Sequence, residues 1–182
     1  MISFYDDQVN FEANSSTSVV VTFDPFTPLN ENIYIPPETP ITINGITFTP
    51  VDSLPLDTPN LVVANPGGTV SNDFAVPLTS NVLTTSGNEN IDITFSTAPT
   101  AVGFDTYTNM FYPPEVVSVY DTDGNLRAKY VLSQARESFG FLGIVSDFPI
   151  GKVNWLATKG GAPEDLATQD TGIANVRVGD AK

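Results

Sequence analysis

Asn90-Ile91-Asp92-Ile93-Thr94-Phe95-Ser96 alternates apolar and polar side chains without interruption. In an extended chain residues two apart share a face, so Ile91, Ile93 and Phe95 line one side and Asp92, Thr94 and Ser96 the other. That pattern belongs to a strand with one face on a core and one toward water. Past the turn signal Ala98-Pro99, the stretch AVGFD at residues 101–105 continues it, with Val102 and Phe104 inward.

The same reading extends in both directions. At residues 115–133, EVVSVY and LRAKYVLS flank Asp121-Thr122-Asp123-Gly124-Asn125, a tract of residues that tolerate left-handed backbone and make hairpin turns. Val117 and Val119 then pack with Ala128, Tyr130 and Leu132, and Arg127 and Lys129 are surface charges. Further strands are predicted at residues 18–23, 41–49 (broken at Asn44-Gly45), 61–64, 81–85, 138–145, 152–158 and 172–178. About ten strands result, and the 15 prolines and 13 glycines between them space many of them as in a sandwich or barrel. Residues 24–40 read as a long ordered connection anchored by Ile33, Tyr34 and Ile35, and residues 163–168 as at most a short helical turn. The expectation is one all-β domain over residues 1–182, with residues 1–17 open to being an N-terminal extension.

A chain of 182 residues is long enough to bury a sizeable core without disulfides. It contains neither His nor Cys, which excludes a zinc enzyme of the usual ligand set, a Ser-His-Asp hydrolase and a cysteine protease. Net charge is −14, unevenly spread. Residues 1–126 hold 15 acids and no base, whereas the remainder holds seven bases against six acids, giving −15 and +1. Nucleic acid is a poor partner for such a surface, because phosphate binding rests on clustered Lys and Arg. No apolar run is long enough for a membrane-spanning helix, and the start MISFYDDQVNF lacks the basic and apolar regions of a secretory leader.

Several segments, read in order, resemble the extracellular jelly-roll modules of bacterial proteins that often carry a PEP-CTERM sorting tag. They are TFD (residues 22–24), INGITFTP (43–50), IDITFSTAPTAVGFD (91–105), VVSVYDTDGNL (116–126), FGFLGIVSDFPIGKVNWLA (139–157) and GIANVRVG (172–179). The resemblance implies a galactose-binding-like jelly roll, an antiparallel β-sandwich, on an extracellular or cell-surface protein. Such modules commonly end on an Asp-Asn pair in the last strand, and here Ala174 stands in the first of those positions, beside Asn175. Fold resemblance leaves the ligand open, since the architecture serves sugar binding, adhesion and scaffolding alike.

Four candidate sites stand out. The stretch Tyr107-Thr108-Asn109-Met110-Phe111-Tyr112 is a ring-rich loop, and Tyr107, Met110, Phe111 and Tyr112 either close the core as a lid, stack on a sugar or meet a protein partner. Trp155 alternates with Val153 in KVNWLA and reads as core, with Asn154 pointing out. The Asp121–Asn125 tract has glycine fourth and Leu132 at its twelfth position, so it reads as a turn and not as an EF-hand loop. For a structural calcium between the first and last strands, the resemblance points to Asp24 and Asn175, with Asp105 or Glu12 in addition; solvated acids are the alternative. No pair of carboxylates is singled out for glycoside hydrolysis, because no acid lies in an apolar run that would raise its pKa. The expected function is a non-catalytic module binding a glycan or surface polysaccharide and stabilised by calcium; the alternative is a structural subunit that self-associates into a surface layer, sheath or fibre.

Overall fold

The computed structural model describes residues 1–26, 31–51, 59–70, 77–86, 90–107, 115–132, 139–157 and 171–182. The chain opens with β1 (Ile2–Tyr5), α1 (Gln8–Asn14), β2 (Ser15–Val21) and a 3-10 turn at Asp24–Phe26. There follow β3 (Ile33–Tyr34), β4 (Ile41–Ile43), β5 (Ile46–Pro50) and β6 (Asn60–Ala64). Eight strands complete it: β7 (Val82–Ser86), β8 (Asn90–Phe95), β9 (Ala101–Tyr107), β10 (Glu115–Asp121), β11 (Leu126–Leu132), β12 (Phe139–Ser146), β13 (Ile150–Ala157) and β14 (Gly172–Ala181).

Two antiparallel sheets pack face to face. The larger runs β1-β12-β9-β14-β7-β6-β3, with β2 also paired to β14; the smaller runs β11-β10-β13-β8-β5-β4. Within them, β7 to β14 follow the jelly-roll path, β7-β14-β9-β12 facing β8-β13-β10-β11, so that all but one step along the chain crosses from one sheet to the other. The strand pattern allowed a sandwich or a barrel, and the β-sandwich that the resemblance implies is the observed architecture. Among the described residues the strand count rises to fourteen because β1 and β3 are short and Asn44-Gly45 divides its run into a hairpin. Asn44 at φ 49° and Gly45 at φ 80° are both left-handed, as a tight two-residue turn between twisted strands requires.

Between the sheets lies a single large apolar cluster. Ile91 and Ile93 of β8, Val102 and Phe104 of β9, Val117 and Val119 of β10 and Val153 and Trp155 of β13 are all buried in it. Trp155 is 0% exposed, tilted against Phe104 with centroids 6.4 Å apart, and its Nε1 donates to Thr171 Oγ1 at 3.3 Å.

The two outer faces are treated differently, and this difference positions the site. On the larger sheet, every residue of β9 is buried. Phe11 of α1 lies across Gly103 and Gly143, where an added Cβ would meet its ring at 3.0 and 2.5 Å, and it tilts against Phe141. Only glycine leaves room there for the ring. Asp7 caps the helix, accepting from Asn10 N at 2.8 Å. Farther along the same face, Ala64, Leu78, Val82, Tyr107 and Ala174 form a second small core with Val70 against it. Residues 1–17, offered by the sequence as an extension, thus supply β1, α1 and the start of β2 to this sheet.

Candidate functional site

The outer face of the smaller sheet is built from the positions that alternate with the core. Ile91 and Ile93 point inward, so Asn90, Asp92 and Thr94 point outward; by the same rule β13 presents Lys152, Asn154 and Leu156, and β10 presents Val116, Ser118 and Tyr120. Strand register then sets these residues in rows. Tyr120, Lys152, Thr94, Thr47 and Thr42 form one row, and Lys129, Ser118, Asn154, Asp92 and Thr49 the next.

The rows are cross-linked. Lys152 Nζ lies 4.5 Å from the Tyr120 ring centroid and donates to Asp92 Oδ2 at 2.9 Å. Asn154 Nδ2 donates to Asp92 Oδ1 at 2.9 Å and to Asn90 Oδ1 at 2.7 Å, and Thr42 and Thr47 bond through their hydroxyls at 2.8 Å. The Lys152–Asp92 pair is only partly exposed, and it holds the ammonium over the ring. Within this ladder both donor protons of Asn154 are used while its Oδ1 remains an acceptor, Lys152 commits one of three donors, and each Asp92 oxygen keeps a second lone pair. The chemistry on offer is an aromatic ring beside fixed, planar acceptors and an ammonium. An aromatic ring offers an apolar face, and amides and carboxylates offer hydrogen-bond acceptors.

The residues singled out in the sequence lie elsewhere. Tyr107 is 1% exposed in the second small core, with its hydroxyl 3.1 Å from Thr79 Oγ1, so it packs as the last residue of β9. Met110, Phe111 and Tyr112 lie outside the described residues. Of the calcium set, the structure joins Asp105 and Asn175: Asn175 Nδ2 donates to Asp105 Oδ2 at 2.6 Å. Arg177 completes the group. Its Nη1 donates to Asp105 Oδ1 at 2.7 Å and to the Asn175 carbonyl at 2.8 Å, and its Nη2 to Gln8 Oε1 at 3.2 Å. These residues do not fit a calcium ion, because a guanidinium already stands at bonding distance from the carboxylate and carbonyl that would ligate it. Asp24 sits exposed on the 3-10 turn after β2, and Glu12 on α1 accepts from Gln8. Among the described residues no group of three or more His, Cys, Asp or Glu could hold a metal.

No protein-family model, curated protein or solved structure matches the chain. Among the described residues no helix is long and apolar enough to cross a membrane.

Among the described residues three carboxyls are shifted, all downward. Burial pulls the Asp121 carboxyl up, but hydrogen bonds from the backbone and side chain of Asn125, the Arg127 guanidinium and the Asp123 amide outweigh it and hold it below its ordinary value. The Asn10 amide and side chain do the same for Asp7 at the helix cap, and the N-terminal ammonium for Asp147. The Asp121–Asn125 tract is thus a closed turn whose own carboxylate bonds its backbone. A lowered folded pKa means stability that is fully present above the unfolded value and is lost as pH falls through the folded one. Melting temperature should accordingly hold level on acidification to about pH 4 and drop below it. A melting temperature that rises as the pH falls below that point would contradict these assignments.

Proposed function

We propose that the chain is a non-catalytic binding module of an extracellular or cell-surface protein, and that it holds a neutral glycan on the outer face of the smaller sheet. The observation that carries this reading is the contrast between the two outer faces. Helix α1 and the small cores at Phe11 and Tyr107 cover the larger sheet, whereas the smaller sheet presents Tyr120, Lys152, Asp92 and Asn154 in a hydrogen-bonded ladder. Rigid strands hold those groups in place before a ligand arrives, which lowers the entropy lost on binding. The net charge of −14 argues for an uncharged glycan over an acidic one. No His or Cys is available for catalysis, and the resolved carboxyl shifts run opposite to those of a general acid.

The test is retention on a panel of neutral polysaccharides in affinity electrophoresis. Wild-type chain should be retarded by at least one of them. Tyr120→Ala and Asn154→Ala should each weaken retention by roughly three- to tenfold, the worth of one ring contact or one or two hydrogen bonds, with little change in melting temperature. Retardation that both variants keep in full would move the ligand off this face, and turnover of any polysaccharide would refute the non-catalytic reading.

A further inference from the structure

The two ends of the sandwich are unlike. At one end of the smaller sheet β11 is an edge strand, bonded on one side to β10 and, among the described residues, to no strand on the other. It runs for seven residues, carries Arg127 and Lys129 and no acid, and exposes Leu126 at 48% and Val131 at 53%. At the opposite end the terminal strands among the described residues are β3 and β4, within ENIYIPPETPITI at residues 31–43. That stretch carries Glu31 and Glu38 and no base, and exposes Tyr34 at 57%.

An open edge offers a row of unpaired backbone donors and acceptors that another strand can satisfy. Two β11 edges pairing with each other would bring the Arg127 and Lys129 side chains of both copies together, which like-charge repulsion disfavours. An acidic strand has no such penalty. We infer that the basic β11 edge of one copy docks on the acidic β3–β4 edge of the next. Because donor and acceptor are different surfaces at opposite ends, the contact is heterologous, and copies add head to tail. The inference rests on the edges alone and is independent of glycan binding on the sheet face. Arg127 is tied to Asp121 and lies over Phe148, so Lys129 is the residue whose charge can be reversed without disturbing the turn.

Sedimentation velocity over a rising concentration series tests it, with Lys129→Glu on the donor edge and Glu31→Lys/Glu38→Lys on the acceptor edge. Wild-type chain should shift progressively to larger species, less so at high salt. Each variant alone should stay monomeric, at a dissociation constant at least tenfold weaker, and an equimolar mixture should associate again through the two edges left intact. Circular dichroism melts check that each variant is folded, and Lys129→Gln replaces any charge reversal that is not. A wild type that is monomeric at every concentration overturns the proposal. So does a Glu31→Lys/Glu38→Lys variant that associates like wild type, since the acidic edge would then not be the partner.

Discussion

Trp155→Ala should destabilise the domain by about 3–5 kcal/mol, as full truncation of a large buried aromatic does. Trp155 is 0% exposed, sits between the sheets against Phe104, and bonds Thr171 through its indole nitrogen. Removing it opens a cavity in the middle of the large core between the sheets and takes away the indole donor of the Thr171 hydroxyl. Domains of this size are stable by only about 5–15 kcal/mol, so the variant loses a large share of the total. Trp155→Phe, which keeps a ring in the same space, should recover most of the loss. Urea unfolding of the three proteins reads both effects. The tryptophan emission of the native chain should be that of a buried indole; an exposed-type maximum, or an alanine variant as stable as wild type, would contradict the packing.

Asp105→Ala should cost a similar amount for a different reason. Asp105 and Arg177 are an ion pair 2.7 Å apart, 8% and 12% exposed at their side chains, set into the outer face of the larger sheet between the Phe11 and Tyr107 cores. Breaking a buried pair leaves one charge without its partner and costs about 3–5 kcal/mol. Here the stranded group would be the guanidinium, which would keep the Asn175 carbonyl, Gln8 Oε1 and the Phe141 ring but no counter-charge. Replacing both partners with apolar residues of similar size, Asp105→Leu with Arg177→Met, should lose much less than Asp105→Ala alone. The same melts carry a metal test. Because Arg177 already occupies the polar side of Asp105, added chelator or calcium should not move the wild-type melting temperature through this group. A clear rise with calcium that Asp105→Asn abolishes would contradict the assignment.

Much of the fold was legible because its strands are regular. Residues 90–96 and 101–105 read correctly as β8 and the start of β9 from alternation alone, and KVNWLA placed Trp155 inside and Asn154 outside. Helix α1 was not legible. In QVNFEAN only Phe11 is buried while Val9 is 77% exposed, so the segment carries no apolar stripe and is held by one ring against Gly103 and Gly143. Two-residue β3 is too short for any periodicity to show.

The site was legible in its parts and not in its assembly. Asp92 and Asn154 could each be read as outward-facing, yet they meet only because β8 pairs with β13 across about sixty residues of jelly-roll path, a relation no local pattern encodes. The partner of Asp105 was hidden for the same reason. Arg177 reads in sequence as one of seven scattered bases, and only the pairing of β9 with β14 brings it onto that carboxylate. Tyr107 looked like part of a loop because its strand was expected to end at Asp105; β9 runs two residues further, and the ring is packed on the covered face.

The central proposal is that the larger sheet, covered by α1 and two small cores, builds the domain and that the outer face of the smaller sheet meets the ligand. It is tested most directly by titrating a retained neutral oligosaccharide into isotope-labelled protein and mapping the backbone amide shifts. The account predicts saturable shifts concentrated on β8, β10 and β13 around Asp92, Tyr120 and Asn154, absent from α1 and from the β9 residues beneath it. Shifts confined to residues 108–114, with β8 and β13 unmoved, would contradict it.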